Sequence, residues 1–197
     1  MNRHERRRQK KTNKLNQSVN QDLLEGIKLH TNKNYVKAEA LYNKVLSSEP
    51  KNYEAIRHLG ILYQDLEQYE KAYNYFLQAL KVNPKGYQAL SNLATIHMEN
   101  KNYELAHKCL SQSFKINSNY VPTINNLAGY YHKINDPKNA IHYSQLSIKI
   151  QPGNPIALDQ HAKALIINSR PEEAIDILEK LNMNFPDNDN FKHNLST

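Results

Sequence analysis

Five alanines recur in this chain at a constant interval of 34 residues. They are Ala38, Ala72, Ala106, Ala140 and Ala174. The residue three positions before each of them is a tyrosine or a proline. A strict period of this length is typical of stacked structural repeats. Because one such unit cannot bury a core by itself, each repeat must pack against its neighbours, which predicts a solenoid and not a single globular domain.

The register of the alanines divides the 197-residue chain into a head, five repeats and a tail. The repeats are 19–52, 53–86, 87–120, 121–154 and 155–188. Residues 1–18 form a basic head that is too poor in apolar residues to bury a core, so we predict it to be disordered. Residues 189–197 are predicted to be a short tail or an incomplete capping helix. Neither flank has room for a second domain.

Repeat two shows the internal pattern most clearly. Apolar or small residues at helical spacing predict a first helix, on Ile56, Leu59, Gly60 and Tyr63, and a second helix, on Ala72, Phe76 and Ala79. A polar turn at 65–68 separates them, and Asn83-Pro84 follows, where proline stops the second helix. Each repeat is therefore predicted to be helix, turn, helix.

The eighth position of every repeat is small: Gly26, Gly60, Ala94, Ala128 and Ala162. It faces the recurring alanine of the second helix, so two helix backbones can approach closely there. Pro137 and Pro171 stand where a second helix begins, a position that tolerates proline, and Asp136 is a candidate cap before the first of them.

These residues resemble the pattern of the tetratricopeptide repeat family, which has Leu at position 7, Gly or Ala at 8, Tyr at 11, Ala at 20, an aromatic at 24, Ala at 27 and Pro at 32. The resemblance covers about residues 19–188. It implies an all-α fold, a right-handed solenoid of five helix-turn-helix repeats. It also implies a protein-binding scaffold with a concave groove. Glu25 and His161 depart from the pattern at the leucine position of repeats one and five.

If positions 4, 7, 8 and 11 of the first helix pack against the rest of the array, positions 2, 5, 6, 9, 12 and 13 lie on the opposite side of that helix. We expect this opposite side to line the groove. The candidate peptide-binding residues are Arg57, His58, Asn92, Asn125, Asn126 and Gln160. An amide can bond both the N–H and the C=O of a passing peptide. In one tetratricopeptide protein an asparagine ladder at the position of Asn92 and Asn126 holds a peptide backbone. The alternative is that these polar groups are simply solvated.

Both ends of the array put apolar residues on the nominal groove side, namely Leu23, Leu24 and Ile27 in repeat one and Ile156, Ile166 and Ile167 in repeat five. They are either pockets for apolar anchors of a ligand or residues packed into the core. The far face of repeat five, with Ile175 and Leu178, is expected to be incompletely covered, which favours self-association or an added partner.

The net charge of +7 resides almost entirely in the head. Residues 15–197 carry 19 Lys or Arg against 18 Asp or Glu. The head is a candidate contact for nucleic acid or anionic lipid through Arg3, Arg6, Arg7, Arg8, Lys10 and Lys11. Its alternative is a solubilising tail.

No motif indicates catalysis, a metal or a cofactor. Cys109 is the only cysteine, which excludes an internal disulfide and fits a reducing, cytoplasmic compartment. The nine histidines are scattered, and His97 and His161 fall on packing positions. No apolar run is long enough to span a membrane.

The sequence therefore predicts a non-catalytic protein–protein interaction scaffold that binds a protein or peptide ligand. Two alternatives stay open. One is a nucleic-acid- or ribosome-associated adaptor that acts through the basic head; the other is an accessory subunit of a sulfotransferase or glycosyltransferase.

Overall fold

The computed structural model describes residues 3–185, which form ten α-helices in five consecutive pairs. The helices are α1 (Arg3–Thr31), α2 (Tyr35–Ser48), α3 (Tyr53–Asp65), α4 (Tyr69–Val82), α5 (Tyr87–Glu99), α6 (Tyr103–Ile116), α7 (Val121–Lys133), α8 (Pro137–Ile150), α9 (Pro155–Ile167) and α10 (Pro171–Asn184). Each predicted repeat thus contains two helices. The predicted tail, 189–197, lies outside the described residues.

The first helix differs from the sequence-based prediction. We predicted residues 1–18 to be disordered, whereas α1 begins at Arg3 and continues into repeat one as a single helix of 29 residues. Arg, Lys and Gln dominate its first four turns, and these residues have high helix propensity. Neither Gly nor Pro interrupts the chain before Gly26. Low hydrophobicity argues against an independent core, but it does not prevent helix extension from a packed segment.

The turn between the two helices of each repeat uses one residue with a left-handed backbone. These residues are Lys33, Glu67, Lys101, Asn135 and Ser169, with φ of 57° or 58°. The backbone N–H of the next residue bonds back to a carbonyl five positions earlier, as in Asn34 to Leu29 at 2.8 Å and Gln68 to Tyr63 at 2.8 Å. This is the Schellman ending of a helix. The left-handed residue of this motif is usually glycine. None of these five residues is glycine, so the sequence did not predict the motif.

The N-terminal ends of the helices agree with the caps and prolines predicted from the sequence. Asp136 caps α8, because its side chain accepts a hydrogen bond from the Asn139 N–H at 3.1 Å. Pro137 and Pro171 occupy the first turns of α8 and α10. Asn52 and Asn154 cap α3 and α9 in the same way. No helix within residues 3–185 is long and apolar enough to cross a membrane.

The chain divides into two compact units, residues 1–89 and 90–197. The largest fully buried side chains of unit 1 are Tyr42, Ile56, Leu59, Leu62 and Phe76. Those of unit 2 are Ile96, Leu110, Ile124, Leu127, Leu165, Leu178 and Leu181. In each unit these residues come from both helices of successive repeats, so every repeat shares its core with a neighbour.

Close helix approach at position 8 is confirmed, and its partner is position 24. Gly26 and Gly60 face aromatic rings: a Cβ on Gly26 would lie 2.8 Å from the Tyr42 ring, and one on Gly60 would lie 2.5 Å from the Phe76 ring. Repeats three to five have alanine at position 8 and a smaller residue at position 24, namely Leu110, Ser144 and Leu178. The smaller the residue at position 8, the larger the residue it faces at position 24: glycine faces an aromatic ring, and alanine faces leucine or serine.

Replacing Gly60 by alanine should destabilise the protein by about 1–3 kcal/mol, because the added methyl collides with Phe76. Alanine is otherwise the better helix former by about 1 kcal/mol, so the two effects have opposite signs. Urea denaturation measures the change. Gly153→Ala, in the turn between α8 and α9, is the control for a methyl group added in open space, since a Cβ there meets nothing within 4 Å. A Gly60→Ala protein more stable than the wild type would contradict the size match.

Candidate functional site

The first helices of repeats three to five present a polar surface in unit 2. We call it the unit 2 face and define it by Asn92 and Thr95 on α5, Asn126 and Gly129 on α7, and Gln160 on α9. Apart from Gly129, their side chains are half-buried. They occupy positions 6 and 9 of the repeats, which the helical period leaves on the side away from the second helices.

Asn126 joins α7 to α5. Its Nδ2 donates to the backbone carbonyl of Ser91 at 3.3 Å, to the Ser91 hydroxyl at 3.0 Å and to the Thr95 hydroxyl at 3.4 Å. These bonds orient the amide, because its donor side is engaged with α5. The carbonyl oxygen of the amide thereby points away from these acceptors and remains able to accept a hydrogen bond.

Gln160 lies across α7 at the one position that has no side chain. Its Nε2 is 3.1 Å from the place where a Cβ on Gly129 would stand. The Gln160 Oε1 is buried and has no hydrogen-bond partner among residues 3–185, and the same is true of Nδ1 of His132, one turn further along α7. A buried polar atom without a partner costs about 1–3 kcal/mol. Both side chains are only half-buried as a whole, so rotation towards the surface lets each of these atoms gain a hydrogen bond.

The electrostatic surroundings of His132 keep its ring neutral. Burial lowers its pKa, and the cations of Lys163 and Lys133 lower it further, while Asp159 acts in the opposite direction. Asp159 and Lys163 form an ion pair of 2.8 Å on α9. At neutral pH His132 therefore offers a neutral imidazole beside a balanced pair of charges.

Asn125 does not lie on this surface, contrary to our prediction. Its side chain is 6% exposed, and its Oδ1 accepts a hydrogen bond of 2.6 Å from the Ser147 hydroxyl of α8. Ser91, at the same repeat position, is likewise buried. Position 5 is therefore covered in repeats three and four, and at Asn125 the covering helix is α8 of the same repeat. The helical wheel of a single helix could not reveal this.

Arg57 and His58 belong to unit 1 and are bound to each other. Arg57 donates to Oε2 of Glu54 at 2.6 Å and to Nε2 of His58 at 3.0 Å. The His58 ring also stacks on Tyr42, with centroids 5.6 Å apart. Burial, followed by the Arg57 and His30 charges, lowers the pKa of His58 to about 3. A neutral ring that accepts at Nε2 carries its proton on Nδ1.

A pocket of about 290 Å³ opens beside this network, and the sequence did not predict it. Its lining residues are Ile27, His30, Thr31, Lys33, Tyr35, His58, Ile61 and Asp65. His30 is 8% exposed, and its Nε2 donates to Oδ2 of Asp65 at 3.0 Å. The Tyr42 hydroxyl, whose pKa burial raises to about 12, lies 3.4 Å from the other ring nitrogen. The only available signal was that His30 and Asp65 occupy adjacent positions, 12 and 13, of consecutive repeats.

The apolar residues at the two ends have different surroundings. Leu23 packs against the core of repeats one and two. Ile27 is partly buried against the same core and also lines the pocket described above, while Leu24 is 67% exposed. Exposed apolar side chains also occur at Ile156, Ile166 and Ile167. On the far face of repeat five Ile175 is exposed, but Leu178 is buried and belongs to the core.

The remaining sequence candidates are placed as follows. His97 and His161 are buried, and Nδ1 of His161 bonds to the Ser144 hydroxyl at 3.0 Å. Burial raises the pKa of the Cys109 thiol, which disfavours a nucleophilic thiolate. Among the described residues no group of three or more His, Cys, Asp or Glu side chains could hold a metal ion.

The basic residues of the head fall within the backbone of α1. They are Arg3, Arg6, Arg7, Arg8, Lys10 and Lys11. Contact with nucleic acid or lipid through them stays a prediction.

Two family models match the chain, both described as tetratricopeptide repeat, over residues 57–107 and 121–154. No curated protein matches the sequence.

Solved structures are similar across most of the chain. The tetratricopeptide protein TTC0263 of Thermus thermophilus is 17% identical, with a TM-score of 0.77 over 90% of this chain and 97% of its own. PilF of Pseudomonas aeruginosa is 18% identical, with a TM-score of 0.73 over 91% and 89%. YrrB, described as a tetratricopeptide protein with an unusual peptide-binding site, is 19% identical, with a TM-score of 0.61 over 89% and 91%. These likenesses confirm the all-α repeat solenoid as the fold class.

The lowered pKa of His58 predicts a specific loss of stability in acid. The unfolded chain binds a proton at this histidine near its ordinary pKa of 6.5, whereas the folded protein binds it only near 3. The contribution of neutral His58 is therefore fully present above pH 6.5 and is lost as the pH falls towards 3, by at most about 1.4 kcal/mol per pH unit.

Chemical denaturation at several pH values tests this prediction. In His58→Gln, which keeps an acceptor for Arg57, the fall in unfolding free energy between pH 6.5 and 4 should be smaller than in the wild type. His142→Gln, at an exposed histidine of α8, is the control and should retain the wild-type slope. Identical slopes for all three proteins would rule out a buried neutral His58.

Proposed function

Because the chain is a protein of the tetratricopeptide repeat family, we propose that it acts as a non-catalytic protein–protein interaction module. Its ligand is an extended segment of a partner protein that lies along the unit 2 face. The observation that supports this proposal most directly is the pair of amide oxygens on Asn126 and Gln160. The first is oriented by bonds from its own amide to α5, and the second is buried without a partner.

Extended peptides suit such acceptors, since their backbone N–H groups are regularly spaced donors. A protein that bonds to the backbone of a peptide binds many peptide sequences in the same register. Pockets for the peptide side chains then provide the selectivity. Asn92, which precedes Asn126 by one repeat, extends the row of amides along unit 2. The description of YrrB as a protein with a peptide-binding site supports the same class of ligand.

The orientation of Asn126 reduces the cost of binding. A free amide loses rotamer freedom when it binds a ligand, which costs about 0.5–1.5 kcal/mol for each side chain that is immobilised. Asn126 already bonds to Ser91 and Thr95, so this loss occurs on folding. For Gln160 the contribution is steric, because the missing side chain of Gly129 leaves space for the amide.

We expect Gln160→Leu to weaken binding of a selected peptide about tenfold, since one buried hydrogen bond to the ligand is lost. Peptides selected on the wild-type protein by display, and then measured by calorimetry, provide the test. Gln145→Leu, at an exposed glutamine of α8, is the matched control and should bind as the wild type does.

Backbone recognition has a second signature. Alanine replacement of single peptide side chains should change the affinity little at most positions, whereas N-methylation of the peptide unit that meets Gln160 should abolish the effect of Gln160→Leu. If Gln160→Leu and Gln145→Leu bind the selected peptides equally well, peptide binding at the unit 2 face is refuted.

A further inference from the structure

The pocket of unit 1 contains a carboxylate that is fixed before any ligand arrives. Asp65 is 47% exposed, yet its Oδ2 accepts a hydrogen bond from the buried ring of His30 at 3.0 Å. His30 is in turn flanked by Tyr42 and by the edge of Tyr35, whose ring centroid is 5.6 Å away. One carboxylate oxygen is thus held by a buried group, while about half of the Asp65 side chain remains accessible to a ligand.

The neighbouring cations do not compete equally for this carboxylate. Arg57 is only 12% exposed and is paired with Glu54 at 2.6 Å, and it also donates to His58. The His58 ring is neutral and contributes no charge to the pocket. Lys33 is the permanent cation in the lining, and it is exposed at the turn after α1, where a long ammonium side chain keeps its head in water. His30 adds a positive charge only when it is protonated, so with a neutral His30 the charge inside the pocket is that of Asp65.

The walls suit an aliphatic chain. Ile27 and Ile61 occupy position 9 of consecutive repeats on α1 and α3, and both line the pocket. Tyr35 adds an aromatic ring, against which an ammonium group is attracted when it lies within about 6 Å of the centroid. An apolar passage that leads to one oriented carboxylate is complementary to a straight hydrocarbon stem with a cationic head.

We propose that this pocket binds an aliphatic ammonium group, as carried by a lysine side chain or a free alkylamine, with the stem between Ile27 and Ile61 and the ammonium on Asp65. Lys33 then acts against the ligand and limits its affinity. This site lies within unit 1 and does not depend on peptide binding at the unit 2 face, so either proposal can fail without the other.

The test uses Nα-acetyl-lysine N-methylamide and n-butylammonium as probes, titrated into the full chain and followed by two-dimensional amide NMR. The norleucine analogue has the same stem without the charge, and the glutamate analogue carries the opposite charge. We expect the amide signals of Tyr35, Ile61 and Asp65 to shift with the two ammonium probes at concentrations up to about 10 mM, and not with the other two.

Two charge-changing variants should have opposite effects. Asp65→Asn should weaken binding of the lysine probe at least about tenfold, because the ion pair is lost. Lys33→Asn should strengthen it about threefold, because a like charge is removed. Asparagine tolerates the left-handed backbone of residue 33, which has φ 58°, so this variant preserves the turn. Glu70→Gln, at an exposed carboxylate of α4, is the control and should change nothing.

Several results would overturn the proposal. They are equal binding of the norleucine analogue, stronger binding of the glutamate analogue, weaker lysine binding in Lys33→Asn, or no shift at these residues with either ammonium probe. Because Lys33 is exposed, its variant gives a clear answer even if Asp65→Asn unfolds through the loss of the His30 contact.

Discussion

The close contact between position 8 of one helix and position 24 of the next is the constraint on which the rest of this structure depends. In repeats one and two a glycine meets an aromatic ring, as Gly60 meets Phe76 at a distance that leaves no room for a methyl group. In repeats three to five an alanine meets a leucine or a serine. The combined volume of the two side chains is thus limited, because a close-packed interior leaves no room for both to be large.

This constraint decides which positions are available for function. Positions 7, 8 and 11 are used between the two helices of a repeat, and so is position 5 in repeat four, where the buried Asn125 bonds to Ser147 of α8. Positions 2, 6, 9 and 13 of the first helix remain accessible. The unit 2 face draws its amides from position 6, and the unit 1 pocket draws its isoleucines from position 9 and its carboxylate from position 13. Chemistry can vary at these positions without disturbing the stack.

Sequence reasoning succeeded where a feature depends on residues within one helix and its ends. The small residue at position 8, the cap at Asp136 and the proline at two helix starts all follow from local spacing. The size match between positions 8 and 24 came only from the structure. Sequence reasoning failed where a second helix matters. Asn125 is a polar residue of the kind that binds peptides, but the Ser147 hydroxyl on the second helix of the same repeat bonds it, and its side chain is buried. His30 and Asp65 are 35 residues apart, and nothing in either local pattern indicates that they form a hydrogen bond.

By itself, the sequence determined the number of repeats, the helix pairs and the small residues at which the helices cross, because the 34-residue period repeats these constraints five times. Only the tertiary structure decided which polar residues remain accessible and how they are oriented. Asn126 is held by α5, Gln160 rests in the space left by Gly129, and Asp65 is fixed by His30. The physical reason is that burial and hydrogen bonding of a residue in a stack depend on helices from adjacent repeats, which a pattern within one repeat does not contain.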